Sequence, residues 1–324
     1  MKIAFYSTKP YDKIWFAPLA EQYGYIIDFL ESPCRPSSIQ LARGFDAICI
    51  FVNDTITAPM IDELCNLGVK AILLRSAGFN HVDLNAAKDR LHVLRVPSYS
   101  PDAVAEYAMA LLLTVNRCTH RAYSRTRDFN MSINGLMGQN LCERTIGIIG
   151  TGKIGQCMIH ICRGFNMNVI AYDPYPNSAL DVKYVTLEDL FSQSHIITLH
   201  CPLTKETEHL VNAQTIQMMQ DNVYLINTSR GGLIHTEDLI DALVNRKFAG
   251  VGLDVYEEEE GIFYEDRSND IIPDENLVRL TSFPNVLITS HMGFFTQEAM
   301  KAIAEVTMEN AHAIKNNLEL KNAL

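Results

Sequence analysis

Thr145-Ile146-Gly147-Ile148-Ile149-Gly150-Thr151-Gly152-Lys153-Ile154-Gly155 is the stretch on which the fold turns. Its first five residues read as a buried strand, and the G-x-G-x-x-G that follows opens a helix. Gly150 allows the tight turn, Gly152 lets an anion approach the backbone, and Gly155 lets helix and strand pack closely. Lys153 and Ile154 complete the turn, and the helix N-terminus offers N–H groups to a pyrophosphate. A second strand, Val169-Ile170-Ala171-Tyr172, ends in Asp173, eighteen residues beyond Gly155. An acid at that distance stands where the ribose hydroxyls of a dinucleotide lie. It favours NAD over NADP, because a 2′-phosphate would meet a carboxylate. A glycine turn alone merely joins strand to helix; strand, helix and spaced acid together predict an NAD site.

Outward from this core, strand-like and helix-like stretches alternate along the chain, which argues for parallel sheets joined by βαβ crossovers. Five candidate strands precede residue 100, near 2–6, 25–29, 46–51, 70–75 and 92–95. Pro97-Ser98-Tyr99-Ser100-Pro101 then breaks the pattern, and a helical stretch runs from Asp102 to about His120. Six further strands are expected near 145–150, 169–173, 195–200, 222–228, 250–256 and 285–290. The tail after His291 reads as a helix with Ile303, Val306, Ala313 and Ile314 on its apolar positions. The expected division is one discontinuous domain, 1–100 with 292–324, and a dinucleotide-binding domain, 101–291, with a hinge and a cleft between them.

The 324 residues suffice for two cores, and 48% hydrophobic with 20% charged residues exclude a disordered or fibrous chain. Twenty-seven Lys and Arg against 38 Asp and Glu give a net charge of −11, which opposes nucleic acid as a partner. Apolar runs are strand-sized, so no membrane association is expected. The opening Met1-Lys2-Ile3-Ala4-Phe5-Tyr6-Ser7 enters a strand without an export segment, an expectation of a cytoplasmic protein. The eight cysteines form no C-x-x-C pair and no zinc-like cluster with histidine, so free thiols and no metal are expected.

In an open parallel sheet, ligands gather beyond the carboxyl ends of the strands. Val223-Tyr224-Leu225-Ile226-Asn227 runs into Thr228-Ser229-Arg230-Gly231-Gly232. Val251-Gly252-Leu253-Asp254-Val255-Tyr256 runs into Glu257-Glu258-Glu259-Glu260, and Val286-Leu287-Ile288-Thr289-Ser290 ends at His291. A guanidinium can hold a carboxylate with paired hydrogen bonds while polarising an adjacent carbonyl. Charge that develops on a reduced carbonyl oxygen needs a proton from a group titrating near neutrality, which is the property of histidine. A carboxylate on the imidazole orients it and favours its protonated form. Arg230, one glutamate of the run and His291 therefore suit reduction of a 2-keto acid. Singly, each reads as a structural ion pair, a loop histidine or a solvated acidic loop; their common placement decides the matter.

These residues resemble the D-2-hydroxyacid dehydrogenase family over essentially the whole chain. The resemblance runs from the opening strand through Ala77-Gly78-Phe79-Asn80-His81-Val82-Asp83, the glycine fingerprint, Asn227-Thr228-Ser229-Arg230-Gly231 and Asp254-Val255-Tyr256 to His291. It implies a Rossmann cofactor domain inserted in a flavodoxin-like substrate domain, both α/β with doubly wound parallel sheets. It selects Glu259, five positions after Asp254, as the partner of His291. It further implies that the Ala77 and Gly78 N–H groups receive the substrate carboxylate, that Tyr99 lines the pocket, and that Asp254 bonds the nicotinamide carboxamide. Thr228 and the segment His200-Cys201-Pro202, with Thr204 and Thr207, are expected beside the cofactor. Phe294-Phe295-Thr296 is similar to the branch of the family acting on lactate, where an aromatic confines the pocket to a small side chain. Glu106-Tyr107 departs from the Glu-His of many relatives, and Lys153 replaces a histidine of some.

The implied reaction is NADH-dependent reduction of pyruvate to D-lactate. A bulkier D-2-hydroxy acid, or an NAD(H)-sensing scaffold, are the alternatives. Arg117, Arg121 and Arg125 fall at i, i+4 and i+8 and read as a solvated or subunit-facing stripe. The resemblance implies a homodimer or higher homo-oligomer formed through this long helix and the arm after it.

Overall fold

The computed structural model describes all 324 residues, and they separate into two compact units: Met1–Ser100 with Phe295–Leu324, and Pro101–Phe294. In the first unit, five strands form one sheet: β1 (Lys2–Phe5), β2 (Ile26–Phe29), β3 (Ala47–Ile50), β4 (Ala71–Leu74) and β5 (His92–Leu94). They pair in the order β2-β1-β3-β4-β5, every pair parallel, which is the flavodoxin-like order. β3 and β4 are buried along their whole length, so their runs Ala-Ile-Cys-Ile and Ala-Ile-Leu-Leu are continuously apolar. β2 lies at the edge and alternates exposed with half-buried residues. The C-terminal helix Gln297–Lys315 belongs to this unit and packs on the helix Pro10–Tyr23. Asn310 Nδ2 donates to Arg95 O at 3.0 Å and Leu324 N to Val93 O at 2.9 Å, tying the tail to β5.

The second unit holds seven strands: β6 (Thr145–Ile149), β7 (Asn168–Tyr172), β8 (Lys183–Tyr184), β9 (Ile196–Leu199), β10 (Val223–Asn227), β11 (Phe248–Leu253) and β12 (Val286–Ile288). Their order is β12-β11-β10-β9-β6-β7-β8, again all parallel, a Rossmann sheet carrying one strand more than the six expected. The extra strand, β8, is two residues long, too short to leave a periodic signal. Successive residues feed opposite faces. Ile146, Ile148, Tyr224 and Ile226 pack with Leu111 and Leu112 of the long helix, whereas Ile197, Leu199, Leu225 and Val251 pack with Leu239 and Ile240.

The long helix is shorter than the sequence suggests. It spans Pro101–Arg117; Cys118 then adopts a left-handed backbone, φ 51°, and a second helix covers Thr119–Arg127. The Asn116 side chain exchanges hydrogen bonds with the backbone of Gln139, at 2.8 and 2.9 Å, and accepts from Tyr224 Oη at 3.2 Å, so this end is clamped to a returning loop. Because the break separates Arg117 from Arg121 and Arg125, the three do not continue one helical face. No helix is long and apolar enough to cross a membrane.

A Cβ on Gly155 would lie 2.0 Å from Gly150 O, a backbone atom that no rotamer change can move, whereas a Cβ on Gly152 would meet nothing within 4 Å. Gly155→Ala is therefore expected to lower the urea midpoint at unchanged slope, by about 1–3 kcal/mol of overpacking strain. Gly152→Ala should leave the midpoint near that of the parent. Equal midpoints for the two variants would contradict the close approach.

Candidate functional site

Because β10, β11 and β12 are adjacent and parallel, the segments leaving their carboxyl ends emerge along one edge of the sheet. Arg230, Glu259 and His291 are on those three segments. The loop after β10 is shaped by buried Asn227, whose Oδ1 accepts from Ser229 N at 3.0 Å and whose Nδ2 donates to Arg230 O at 2.8 Å. Ser229 Oγ donates to Cys201 O at 2.6 Å, fixing this loop to the exit of β9. The Arg230 guanidinium donates from Nη1 to Ser229 O at 2.7 Å and forms no ion pair, so most of its five donors remain available to a ligand.

After β11 the glutamate run alternates: Glu257 and Glu259 are half-buried, Glu258 and Glu260 exposed. Glu259 Oε1 lies 2.8 Å from His291 Nδ1, and its Oε2 accepts from Tyr256 N at 3.2 Å. With Nδ1 engaged, Nε2 is the nitrogen left to exchange a proton. His291 itself has a left-handed backbone, φ 52°, an uncommon state for a residue with a side chain. Its N–H donates to Asp254 O at 2.7 Å, and its carbonyl accepts from Tyr264 Oη at 2.9 Å.

Asp254, 1% exposed, organises this turn. Oδ1 accepts from Thr289 Oγ1 at 2.6 Å and Met292 N at 2.9 Å, and Oδ2 accepts from Gly293 N at 2.7 Å. Burial pushes the carboxyl upward, opposed by those three donors and by the nearby His291. The set leaves about one lone pair of Oδ2 for a ligand, so the residue's first task is structural. Tyr107 lies against the same turn: a Cβ on Gly293 would be 3.5 Å from its ring and 3.0 Å from Asp254 Oδ2. Burial raises its phenol, opposed by a hydrogen bond with Thr289.

At the dinucleotide fingerprint, Gly150 has φ 93°, and a Cβ there would meet His200 and Cys201 backbone atoms at 2.7 Å. The exit of β9 thus presses directly on the glycine loop, and His200 N donates to Ile149 O at 2.7 Å. Asp173 Oδ2 accepts from Thr151 N at 2.7 Å and Thr151 Oγ1 at 3.0 Å, and Oδ1 accepts from Tyr175 N at 2.9 Å. Lys153 and Ile154 begin the helix Lys153–Gly164, whose N-cap Gly152 supplies no side-chain cap. Thr228 Oγ1 is buried at the end of β10 without a partner in the chain. An open glycine face, an uncapped helix N-terminus and an orphaned hydroxyl fit a dinucleotide. Behind them, Thr207 Oγ1 donates to Pro202 O at 2.7 Å and accepts from Thr204 N at 2.8 Å, so its hydroxyl braces the loop.

In the first unit, Ala77 and Gly78 follow β4, and neither N–H has an acceptor within the chain. Ser76 Oγ donates to Gly78 O at 2.8 Å, and Arg95 Nη1 to Ala77 O at 3.0 Å. Tyr99 is half-buried in the segment that ends this unit. Arg75, the residue after β4, is buried between the Phe5 and Phe51 rings, at 4.3 and 5.0 Å, with Nε 3.7 Å from Asp12 Oδ1 and Nη1 unpartnered. Phe294 is 9% exposed at the end of the second unit, and Phe295 meets Tyr11 edge-on at 4.8 Å in the first. Arg75, Thr151, Tyr264 and Thr289 escaped sequence reasoning. For Arg75 alone there was a signal, a charge set directly after a continuous apolar strand.

Fold and site together define an NAD-dependent oxidoreductase. The family model for the D-isomer specific 2-hydroxyacid dehydrogenase, NAD binding domain, matches residues 109–293. The D-lactate dehydrogenase of Escherichia coli is 47% identical over 328 residues, covering all of both chains. Its apo-structure superposes with a TM-score of 0.91 over the full length of both, at 44% identity. The structure reported with the identification of the pyruvate reductase of Chlamydomonas reinhardtii gives a TM-score of 0.93 at 40% identity, covering 99% of this chain and 98% of that one. The chain belongs to the D-isomer specific 2-hydroxyacid dehydrogenases, and it is an enzyme that uses NAD.

His200 carries a pH dependence. Its Nε2 lies 2.9 Å from Thr198 Oγ1, and burial pushes the imidazole down to about 4. The unfolded chain takes up this proton near pH 6.5, so between the two values it binds more protons than the folded chain. The stability held above that window is lost as pH falls through it, at up to about 1.4 kcal/mol per pH unit. Urea midpoints at pH 7 and pH 5 should therefore converge in His200→Gln relative to the parent; parallel shifts in both proteins would refute this origin.

Proposed function

We propose that this enzyme reduces pyruvate to D-lactate, and that Arg230, Glu259 and His291 carry the reaction. The observation that supports it most is the 2.8 Å contact between His291 Nδ1 and Glu259 Oε1, on the sheet edge that also bears a guanidinium free of ion pairs. Arg230 grips the substrate carboxylate and polarises the neighbouring ketone. Glu259 orients the imidazole and sets a carboxylate against it, and His291 Nε2 gives its proton to the carbonyl oxygen. Gly150, Gly152, Lys153, Ile154, Gly155, Asp173, His200, Cys201, Pro202, Thr207, Thr228 and Asp254 would hold NADH, which when bound would provide a hydride for the carbonyl carbon. On the family resemblance, Ala77 and Gly78 N–H and the Tyr99 side chain are assigned to the substrate. Phe294 is assigned to limiting its size.

The small substrate is supported by the relatives named for D-lactate and pyruvate. We also infer a homodimer or higher homo-oligomer. The arm following the helix Thr119–Arg127 exposes Phe129 at 87%, Ile133 at 83% and Met137 at 96%, a run of apolar side chains suited to a second subunit.

NADH oxidation should be fastest, by kcat/KM, with pyruvate against phenylpyruvate and 2-ketoisocaproate, and the product should be the D isomer. Preference for a larger acid would replace the substrate, and slow turnover with tight NADH binding would favour the sensing alternative. In single-turnover assays His291→Gln should slow reduction by roughly a hundredfold or more; unchanged chemistry removes His291 from the mechanism. Reduction requires the protonated imidazole and declines as pH rises. With the charge of Glu259 removed in Glu259→Gln, that decline should begin at lower pH. A decline at the same or higher pH would contradict the pairing.

A further inference from the structure

A second histidine–glutamate pair lies beside the first, outside the mechanism above. Glu257 Oε1 is 2.5 Å from His209 Nε2, and Glu257 Oε2 accepts from Thr236 N at 3.1 Å, so both oxygens are held. Burial alone would raise this carboxyl, but the donors Thr236 and His209 together pull it below the usual carboxylate range. His209 is itself fixed from three sides. Its N–H donates to Gly232 O at 2.8 Å, its carbonyl accepts from Asn212 Nδ2 at 2.8 Å, and its ring meets His235 edge-on at 4.8 Å. His235 Nδ1 lies 3.0 Å from Asp238 Oδ2, which also accepts from Ala213 N at 2.7 Å. The backbone of His209 is left-handed, φ 51°, a conformation such a set of bonds can hold.

This pair stands between the two halves of the reaction site. Gly232 is two residues after Arg230, and Glu257 is two residues before Glu259. The two loops also touch: a Cβ on Gly231 would lie 2.0 Å from Tyr256 C and O and 2.4 Å from Glu257 N. We propose that Glu257, clamped by His209 and the Thr236 N–H, is a positioning residue that fixes the register of the glutamate run, so that Glu259 and not a neighbour meets His291. Apart from the Tyr256 N–H that Glu259 accepts, a run of four identical acids has no chemical preference for which member turns inward, and a slipped neighbour would reach His291 from a different point of the backbone. A carboxylate pinned at the first position removes that degeneracy. The alternating burial of Glu257 and Glu259 against exposed Glu258 and Glu260 is the pattern such a pin imposes.

The inference rests on the reading of Glu259 and His291 given above, and its test separates the two. The readout is the pH profile of NADH-dependent pyruvate reduction by the full-length enzyme. The groups facing the two histidines are Glu259, Asp254 and Tyr264 at His291, and Glu257 and His235 at His209, with Asp238 behind His235. Glu257→Ala should move the decline in rate to lower pH by about half a unit or more, in the direction of Glu259→Gln, and should lower kcat roughly tenfold at pH 8 with KM for pyruvate little changed. Glu257→Asp keeps the charge but falls one methylene short, and should behave likewise if Glu257→Ala does not fold. Glu257→Gln retains an acceptor for Thr236 and a polar atom for His209, and should restore most of the parental profile. In Glu257→Ala/Glu259→Gln the profile should match that of Glu259→Gln alone. If the wild type reduces no 2-keto acid, or Glu259→Gln leaves its profile unmoved, the underlying reading fails and takes this one with it. If Glu259→Gln shifts the profile while Glu257→Ala and Glu257→Asp do not, the positioning role alone is overturned.

Discussion

The backbone pairing of Asn227 with Asp254, at the ends of two neighbouring strands, is the constraint on which the site depends. Asp254 N donates to Asn227 O at 2.9 Å, and from this one bond the three segments fan out. The Asn227 side chain shapes the loop bearing Arg230. The Asp254 carbonyl receives His291 N, and its carboxylate gathers Thr289, Met292 and Gly293. A carboxylate buried this deeply is costly unless its oxygens are hydrogen-bonded, and here the donors come from the very turn it must hold. The cost of burial and the geometry of the site are therefore met by the same contacts. Removing the carboxylate would leave the left-handed His291 held only by the Asp254 carbonyl, Tyr264 and Glu259, without the anchored turn that follows it.

Much of this was legible in the sequence because it follows from spacing along single elements. The strand before Gly150, the acid at 173 and the polar groups ending three apolar strands are all local signals, and a parallel sheet then places strand ends on one edge. What was not legible comes from pairings across the chain. Cys118 breaks the helical stretch two residues after Asn116, which is held by Gln139 and Tyr224, 23 and 108 residues away in sequence. Thr289 and Tyr264 carry no periodicity that marks them. β8 is an edge strand of two residues, below the length at which alternation can be seen. The selection of Glu259 from four glutamates came from resemblance, since composition cannot tell one member of such a run from another.

The glutamate run also shows how a strongly acidic chain tolerates like charges in series. Four adjacent carboxylates repel one another, and in a solvated loop they would extend into water. Here two of them find histidines, and the alternation leaves the other two outside. Histidine is suited to both positions for different reasons. At His291 the imidazole presents Nδ1 to Glu259 and leaves Nε2 for the proton exchange proposed for it. At His209 the ring is packed against His235 and its backbone is bonded on both sides, so it serves as a fixed point.

Arg230 completes the electrostatic argument. The chain carries eleven more negative than positive charges, yet this guanidinium is matched only by the carbonyl of its neighbour, Ser229. The loop holding it makes that arrangement stable: Ser229 is tied to Cys201 and Asn227, and Gly231 fits against Tyr256 where any side chain would collide. The guanidinium is thus held by backbone contacts with no acidic partner in the chain, the state that the role proposed for it requires. In the proposed reaction, recognition of the acid group and polarisation of the adjoining ketone are one event at this side chain.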